Sequence, residues 1–147
     1  MTTVYDVPAD KLVMLVAEKL KKDKTIQMPK WAMDVKKGAN KELPPQDSNW
    51  WFVRCASVLR QIYLNGPVGV SRLRTYYGGR VRRGAKPDRF RAASGKIIRV
   101  VLLQLEQAGY VINPEKGKRG RIISSKGQSF LDNISHEVKT NSKINAE

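Results

Sequence analysis

Residues 47–79 read DSNWWFVRCASVLRQIYLNGPVGVSRLRTYYGG, and two helices with their stops are legible in that stretch. Asp47 and Ser48 offer side-chain oxygens that can cap a helix beginning at Trp50. Trp51, Cys55, Val58, Leu59 and Ile62 recur at helical spacing as one apolar stripe, while Arg54, Ser57 and Gln61 fall on another face. Arg54 and Arg60 are expected to point outward. Asn65-Gly66-Pro67 ends the run after Leu64, because glycine leaves a helix easily and proline cannot continue one. Val70, Leu73 and Tyr77 then repeat at the same spacing up to Gly78-Gly79. Two helices joined by so short a turn predict a helix-turn-helix.

Toward the C-terminus, Gly79 to Ala93 reads as a loop carrying Arg80, Arg82, Arg83, Lys86, Arg89 and Arg91, interrupted by Pro87 and anchored by Phe90. Ser94 can cap the next helix, whose Ile97, Ile98, Val101, Leu102, Leu105 and Ala108 form a broad apolar face before Gly109. Tyr110-Val111-Ile112 and Arg121-Ile122-Ile123 are short β-prone runs joined by a segment with Pro114, Gly117 and Gly120, which predicts a hairpin with Lys116, Lys118 and Arg119 at its tip. Ser124 or Ser125 begins a last helix that buries Phe130, Leu131, Ile134 and Val138. The polar tail beyond Lys139 is expected to fray. The expected fold is mainly α: a winged-helix core with a small β-hairpin wing and an extra N-terminal helix.

That extra helix spans Ala9 to Lys22, with Leu12, Val13, Val16 and Leu20 on one stripe and Asp6 or Pro8 at its start. Thr25 to Ser48 contains Pro29, Pro44, Pro45 and Gly38, and reads as a loop wrapped on the body. One helical turn near Trp31 to Val35 is expected within it, with Trp31 and Met33 pinning it to the core. Residues 1–147 thus make a single domain: a core of about 48–138, an N-terminal helix and wrapping loop over 7–47, and a tail over 139–147.

The chain carries 28 Lys and Arg against 13 Asp and Glu, a formal charge of +15. Of these, 17 cations and only the acids Asp88, Glu106 and Glu115 fall between Arg54 and Lys126, and all 12 arginines lie between Arg54 and Arg121. The N-terminal part uses lysine alone, the ordinary solubilising choice. The guanidinium fork suits phosphates and base edges, so its confinement to one stretch predicts a polyanion site. Arg54, Arg60, Arg72, Arg74, the Arg80–Arg91 loop, Lys96, Arg99 and the tip cations are its candidates. Amides near Ser94, Gly95 and Lys96, at a helix start, are expected to add an anion site. Trp50, Tyr76 and Tyr77 are candidates for stacking, and Trp51 for the core.

Catalytic chemistry finds little material. Cys55 and His136 are the only residues of their kinds, so no disulfide and no Cys/His zinc set can form within the chain. Cys55 lies in an apolar pattern and is expected buried, His136 on a polar face and solvated. The few acids of the basic half do not make an acid–base pair. Gly78-Gly79 and Gly117/Gly120 lack the lysine of a phosphate loop. No signal peptide or membrane span is expected, and a reducing, cytoplasmic compartment fits the lone thiol. The expectation is a protein that is not an enzyme and takes no cofactor, metal or small-molecule substrate.

Trp50-Trp51-Phe52-Val53-Arg54, Leu59-Arg60-Gln61-Ile62-Tyr63, Gly66-Pro67-Val68-Gly69-Val70, Tyr77-Gly78-Gly79-Arg80, Ile97-Ile98-Arg99 and Leu105-Glu106 together resemble the "nineteen e" ribosomal proteins of the archaeal and eukaryotic small subunit. The similarity extends from Val7-Pro8-Ala9 and Pro29-Lys30-Trp31-Ala32 to Lys126-Gly127-Gln128-Ser129-Phe130-Leu131, and the form looks archaeal. The resemblance implies a helical fold with a winged-helix core in the head of the small subunit. It also implies contacts with ribosomal RNA and other small-subunit proteins, a monomeric state within the ribosome, and a part in maturation of the precursor RNA. By motif position Arg54, Arg60 and Arg99, beside Gly78-Gly79-Arg80, match the family's functionally important basic surface. Cys55 stands where the family suggests alanine, and Val100 where a second basic residue often follows Arg99. The alternative from a different class is a winged-helix DNA-binding transcription regulator, its fourth helix entering a major groove with Lys96 and Arg99 leading.

Overall fold

The computed structural model describes residues 1–115 and 120–146. Lys116, Lys118 and Arg119, the expected hairpin tip, lie outside the described residues. Among the described residues, five helices and two small hairpins follow in the order α1 (Ala9–Lys21), α2 (Trp50–Asn65), α3 (Val70–Tyr77), β1 (Gly79–Arg83), β2 (Lys86–Arg91), α4 (Gly95–Gln107), β3 (Val111–Ile112), β4 (Ile122–Ile123) and α5 (Ser125–Ile144). Short 3-10 turns at Val4–Asp6 and Lys30–Asp34 complete the chain, the second where a turn was expected.

Helices α2, α3 and α4 with the β3–β4 hairpin form the winged helix. Val68, in the α2–α3 turn, exchanges backbone hydrogen bonds with Arg121 at 3.1 and 3.0 Å, which ties the wing to the helix-turn-helix. The predicted stripe of α2 is buried in full: Trp51, Cys55, Val58, Leu59 and Ile62. Burial also pushes the Cys55 thiol far up, so it packs as a small apolar residue. Gly66 leaves α2 with φ 69°, the left-handed exit that glycine tolerates. Helix α4 ends as its sequence suggests, with Gly109 N–H donating to the Glu106 carbonyl and Tyr110 N–H to that of Leu105.

Capping differs from expectation at two starts. Asp47 Oδ1 accepts the Asn49 N–H at 2.9 Å, bracing the turn before α2 rather than the helix itself. Ser94 makes no side-chain cap on α4; its backbone N–H donates to the Lys37 carbonyl at 3.2 Å. Ser124 does cap α5, accepting from Gly127 N–H at 3.1 Å while donating to the Gly109 carbonyl at 2.6 Å. Helix α5 continues to Ile144, beyond the point where fraying was expected. Thr140 and Ser142 hydroxyls bond back to the His136 and Val138 carbonyls within that extension, and His136 is exposed as predicted.

Residues 22–49 form a strap over the bundle. Trp31 stands edge-on to the fully buried Trp51, with ring centroids 5.7 Å apart, whereas Met33 is 75% exposed and pins nothing. Gln104 fastens three elements at once: it accepts from Trp51 Nε1 at 2.9 Å and donates to the Gln27 carbonyl at 2.7 Å. Gly38 pairs with Ala93 in an isolated bridge, so the strap runs beside the start of α4.

The largest departure lies between α3 and α4. The expected loop is an antiparallel hairpin, Gly79 opposite Arg91, Arg80 opposite Phe90 and Val81 opposite Arg89, closed by Gly84-Ala85 between Arg83 and Lys86. Gly84, at φ 66°, supplies the positive φ that a two-residue hairpin needs at its first central position. The register slips between Val81 and Arg83, opposite Pro87 and Asp88, which is where a strand proline is tolerated. Phe90 is half exposed rather than an anchor, with its ring edge laid over Gly78. A Cβ at Gly78 stands 2.6 Å from the Arg91 carbonyl and 2.8 Å from Phe90 Cζ, so only glycine lets the hairpin root close.

Candidate nucleic-acid interface

The cations divide by how firmly the fold holds them. Arg80, Arg82, Arg83, Lys86, Arg89 and Arg91 are all exposed on the β1–β2 hairpin, and every residue of β2 is exposed. Arg83 Nε donates to the Pro87 carbonyl at 2.9 Å across the irregular register. This is a rigidly rooted arm whose two faces both meet solvent.

At the arm's base the arginines are built into the structure. Arg54 and Arg60 do not point outward: both are half-buried, Arg54 beneath Tyr77 of α3. The Arg54 guanidinium lies 4.0 Å from the Tyr77 ring centroid, and burial lowers its pKa from the usual arginine value, leaving it a cation. Tyr77 shares a 2.7 Å hydrogen bond with Ser57 Oγ, and burial raises its phenol above the usual value. The Arg60 Nε is buried without a hydrogen-bond partner.

Arg74 closes the end of α3 onto the start of α4: its Nε donates to the Ala93 carbonyl at 3.0 Å, and its own carbonyl accepts the Ala93 N–H at 2.9 Å. Arg99 folds back over Gly95, where a Cβ would come within 2.8 Å of Nη1 and 3.3 Å of Arg74 Nε. Arg74 and Arg99 therefore converge over the first turn of α4. The Ser94 amide, expected to join an anion site there, is consumed by Lys37. Lys96 sits 4.6 Å from the Trp31 ring centroid and Arg72 is exposed on α3. Of the three stacking candidates, Trp50 is buried, Tyr77 lies under Arg54, and Tyr76 is 58% exposed.

Lys37 joins this group although its lysine-only segment reads as solubilising. It lies 5.9 Å from the Trp50 ring centroid, and burial, with repulsion from Arg54 and Lys41, lowers its pKa despite the opposing pull of Asp47. No sequence signal marks it, because strap and core meet only in three dimensions.

Among the described residues, the ion pairs are Lys19–Glu137 at 2.5 Å and Arg121–Glu106 at 3.7 Å. Neither includes any of the described candidate arginines, so none of these is ion-paired among the described residues. No group of His, Cys, Asp and Glu among the described residues is arranged to hold a metal, and no helix is long and apolar enough to cross a membrane. A major-groove reading of α4 meets an obstacle: the strap occupies its flank through Gln27–Gln104, Lys37–Ser94 and Trp31–Lys96.

A family model described as ribosomal protein S19e matches residues 3–141. The chain is 46% identical over 140 residues to the small ribosomal subunit protein eS19 of Aeropyrum pernix, a match covering 94% of this chain and 90% of that protein. It is 40% identical over 144 residues to eS19 of Haloarcula marismortui, covering 95% and 93%. To eS19G of the worm Ascaris suum it is 39% identical over 145 residues, covering 99% and 97%.

Proposed function

Since this chain belongs to the ribosomal protein S19e family, a family of small-subunit structural proteins and not of enzymes, we propose that it grips ribosomal RNA in the subunit head through its arginine face. The observation that carries the reading is the arginine group without ion pairs among the described residues, half of it seated on α2, α3 and α4 and half on the projecting hairpin. Arg54, on the Tyr77 ring, and Arg74, on the Ala93 carbonyl, are held before RNA arrives and lose less entropy on meeting phosphate, whereas the arm reaches outward to neutralise backbone. Arg60, Arg72 and Lys96 extend the same surface, and Lys37 adds to it.

Membership of the family brings other small-subunit proteins as neighbours and the cytoplasmic ribosome as the site of action, and a monomeric state within the ribosome is part of the proposal. A role in maturation of the precursor RNA follows from the same reading, because RNA that this surface holds in shape is RNA presented for processing. A native lysate sedimented at low and at high salt tests the assignment. Comigration with small subunits through the salt wash is the expected result, and free or DNA-bound protein at low salt sinks it. Depletion of the protein should also raise the level of unprocessed small-subunit precursor RNA, and unchanged precursor levels would remove the maturation role alone.

A further inference from the structure

Between the C-terminal half of α2 and α3 lies an open cleft of about 290 Å³ lined by Gln61 and Asn65 on one wall and Arg72 and Tyr76 on the other, with buried Val68 and Leu73 beneath. It continues into a hollow of about 530 Å³ that shares Asn65 and Arg72. Each wall pair is spaced i, i+4, so each helix presents two neighbouring side chains to the same space.

The polar atoms in the cleft are already oriented. Asn65 Nδ2 donates to Gln61 Oε1 at 2.8 Å, and Gln61 Nε2 donates to Tyr76 Oη at 2.9 Å. Gln61, buried, spends its oxygen and one N–H on this relay, and the two ends of the relay face the open cleft. Asn65 keeps its carbonyl oxygen and one N–H, and Tyr76 keeps its hydroxyl hydrogen. Tyr77 braces the Tyr76 ring at 89° with centroids 4.9 Å apart, so the exposed aromatic is held in place rather than free to rotate into solvent. Among the described residues, no acidic side chain lines either hollow.

A π surface, an amide with a free donor and acceptor, and a guanidinium on the rim form the set that captures an unstacked base together with its phosphate. We propose that this cleft receives one unpaired nucleobase of the bound RNA, stacked on Tyr76, met at its edge by Asn65, with the adjoining phosphate on Arg72. The proposal rests on the RNA-binding reading above and deepens it. Arginine charge alone can hold any A-form helix, whereas this cleft selects RNA that offers a nucleotide outside the helix.

The test titrates the full-length protein with two RNA hairpins of identical stem at fixed salt, one carrying a single bulged 2-aminopurine and the other fully paired. Wild type should bind the bulged hairpin about fivefold or more tightly, the low end of what base stacking gives, and quench the probe's fluorescence. Tyr76→Leu and Asn65→Ala should each reduce that preference while leaving affinity for the paired hairpin unchanged, with melting curves confirming the fold. Tyr76→Phe should retain the quenching. Equal binding of the two hairpins by wild type, or a preference that survives both variants, overturns the base site and leaves the RNA reading standing. Binding to neither hairpin overturns that underlying reading as well. Loss of subunit incorporation by Tyr76→Leu with RNA binding unchanged assigns the cleft to a protein neighbour and overturns the proposal.

Discussion

Arg54 and Arg82 carry the same charge but do different work. Arg82 is exposed on the hairpin, so Arg82→Glu is expected to change stability by about 0.5 kcal/mol or less while weakening RNA binding and incorporation into subunits. Arg54 is half-buried on Tyr77, so Arg54→Glu should lower both, and comparing melting temperature with subunit incorporation for the two variants separates the roles. Sequence spacing put Arg54 and Arg60 on the right helix but facing solvent, and nothing in the spacing of α2 reveals that Tyr77 of α3 returns over Arg54. Trp51 was legible from the same spacing. It is fully buried against Trp31 and Trp50 with its indole N–H on Gln104, and Trp51→Ala should cost roughly 3 to 5 kcal/mol. A melting temperature within a degree or two of wild type would contradict that placement.

At the scale of elements, the five helices could be read because each has an apolar stripe and a glycine, proline or serine near an end. The β1–β2 hairpin could not, since Val81 and Phe90 are the only large apolar side chains in its strands and neither strand alternates. Its pairing comes from the backbone, from the glycine turn and from a root that only Gly78 fits. Replacing 80–91 with a short Gly-Ser link should leave the melting temperature within a few degrees, as the strands bury little. The same replacement removes six cations. If each meets a phosphate, the slope of log affinity against log salt should fall in magnitude by about four to five, from about 0.7 to 0.9 per contact. An unchanged slope would mean that the arm does not touch RNA. The strap fared between these extremes: its single turn was visible around Trp31, but its hydrogen bonds to α4 join residues far apart in sequence and carry no local mark.

For the whole molecule, the winged helix is not a free-standing unit. Helix α1 buries Leu12, Val16 and Leu20, and the strap covers Trp51 and fastens Gln104, so removing residues 1–46 should abolish cooperative thermal unfolding even though α2 to α5 remain. A sharp melt from the truncated chain, followed by circular dichroism, would show the core to be autonomous. The Lys19–Glu137 pair adds little energy, being exposed, yet it marks where the first helix meets the last across 118 positions of chain. Peptide synthesis at about 5 to 20 residues per second sets a delay of roughly 6 to 24 s between the emergence of those two partners. By the end of that interval α1 has α2 to lean on but not yet α5, while the arginines of the middle segment have already emerged. A newborn chain is therefore cationic and adhesive before it is fully closed, and escorting it to its proper RNA is a matter of timing as much as of affinity.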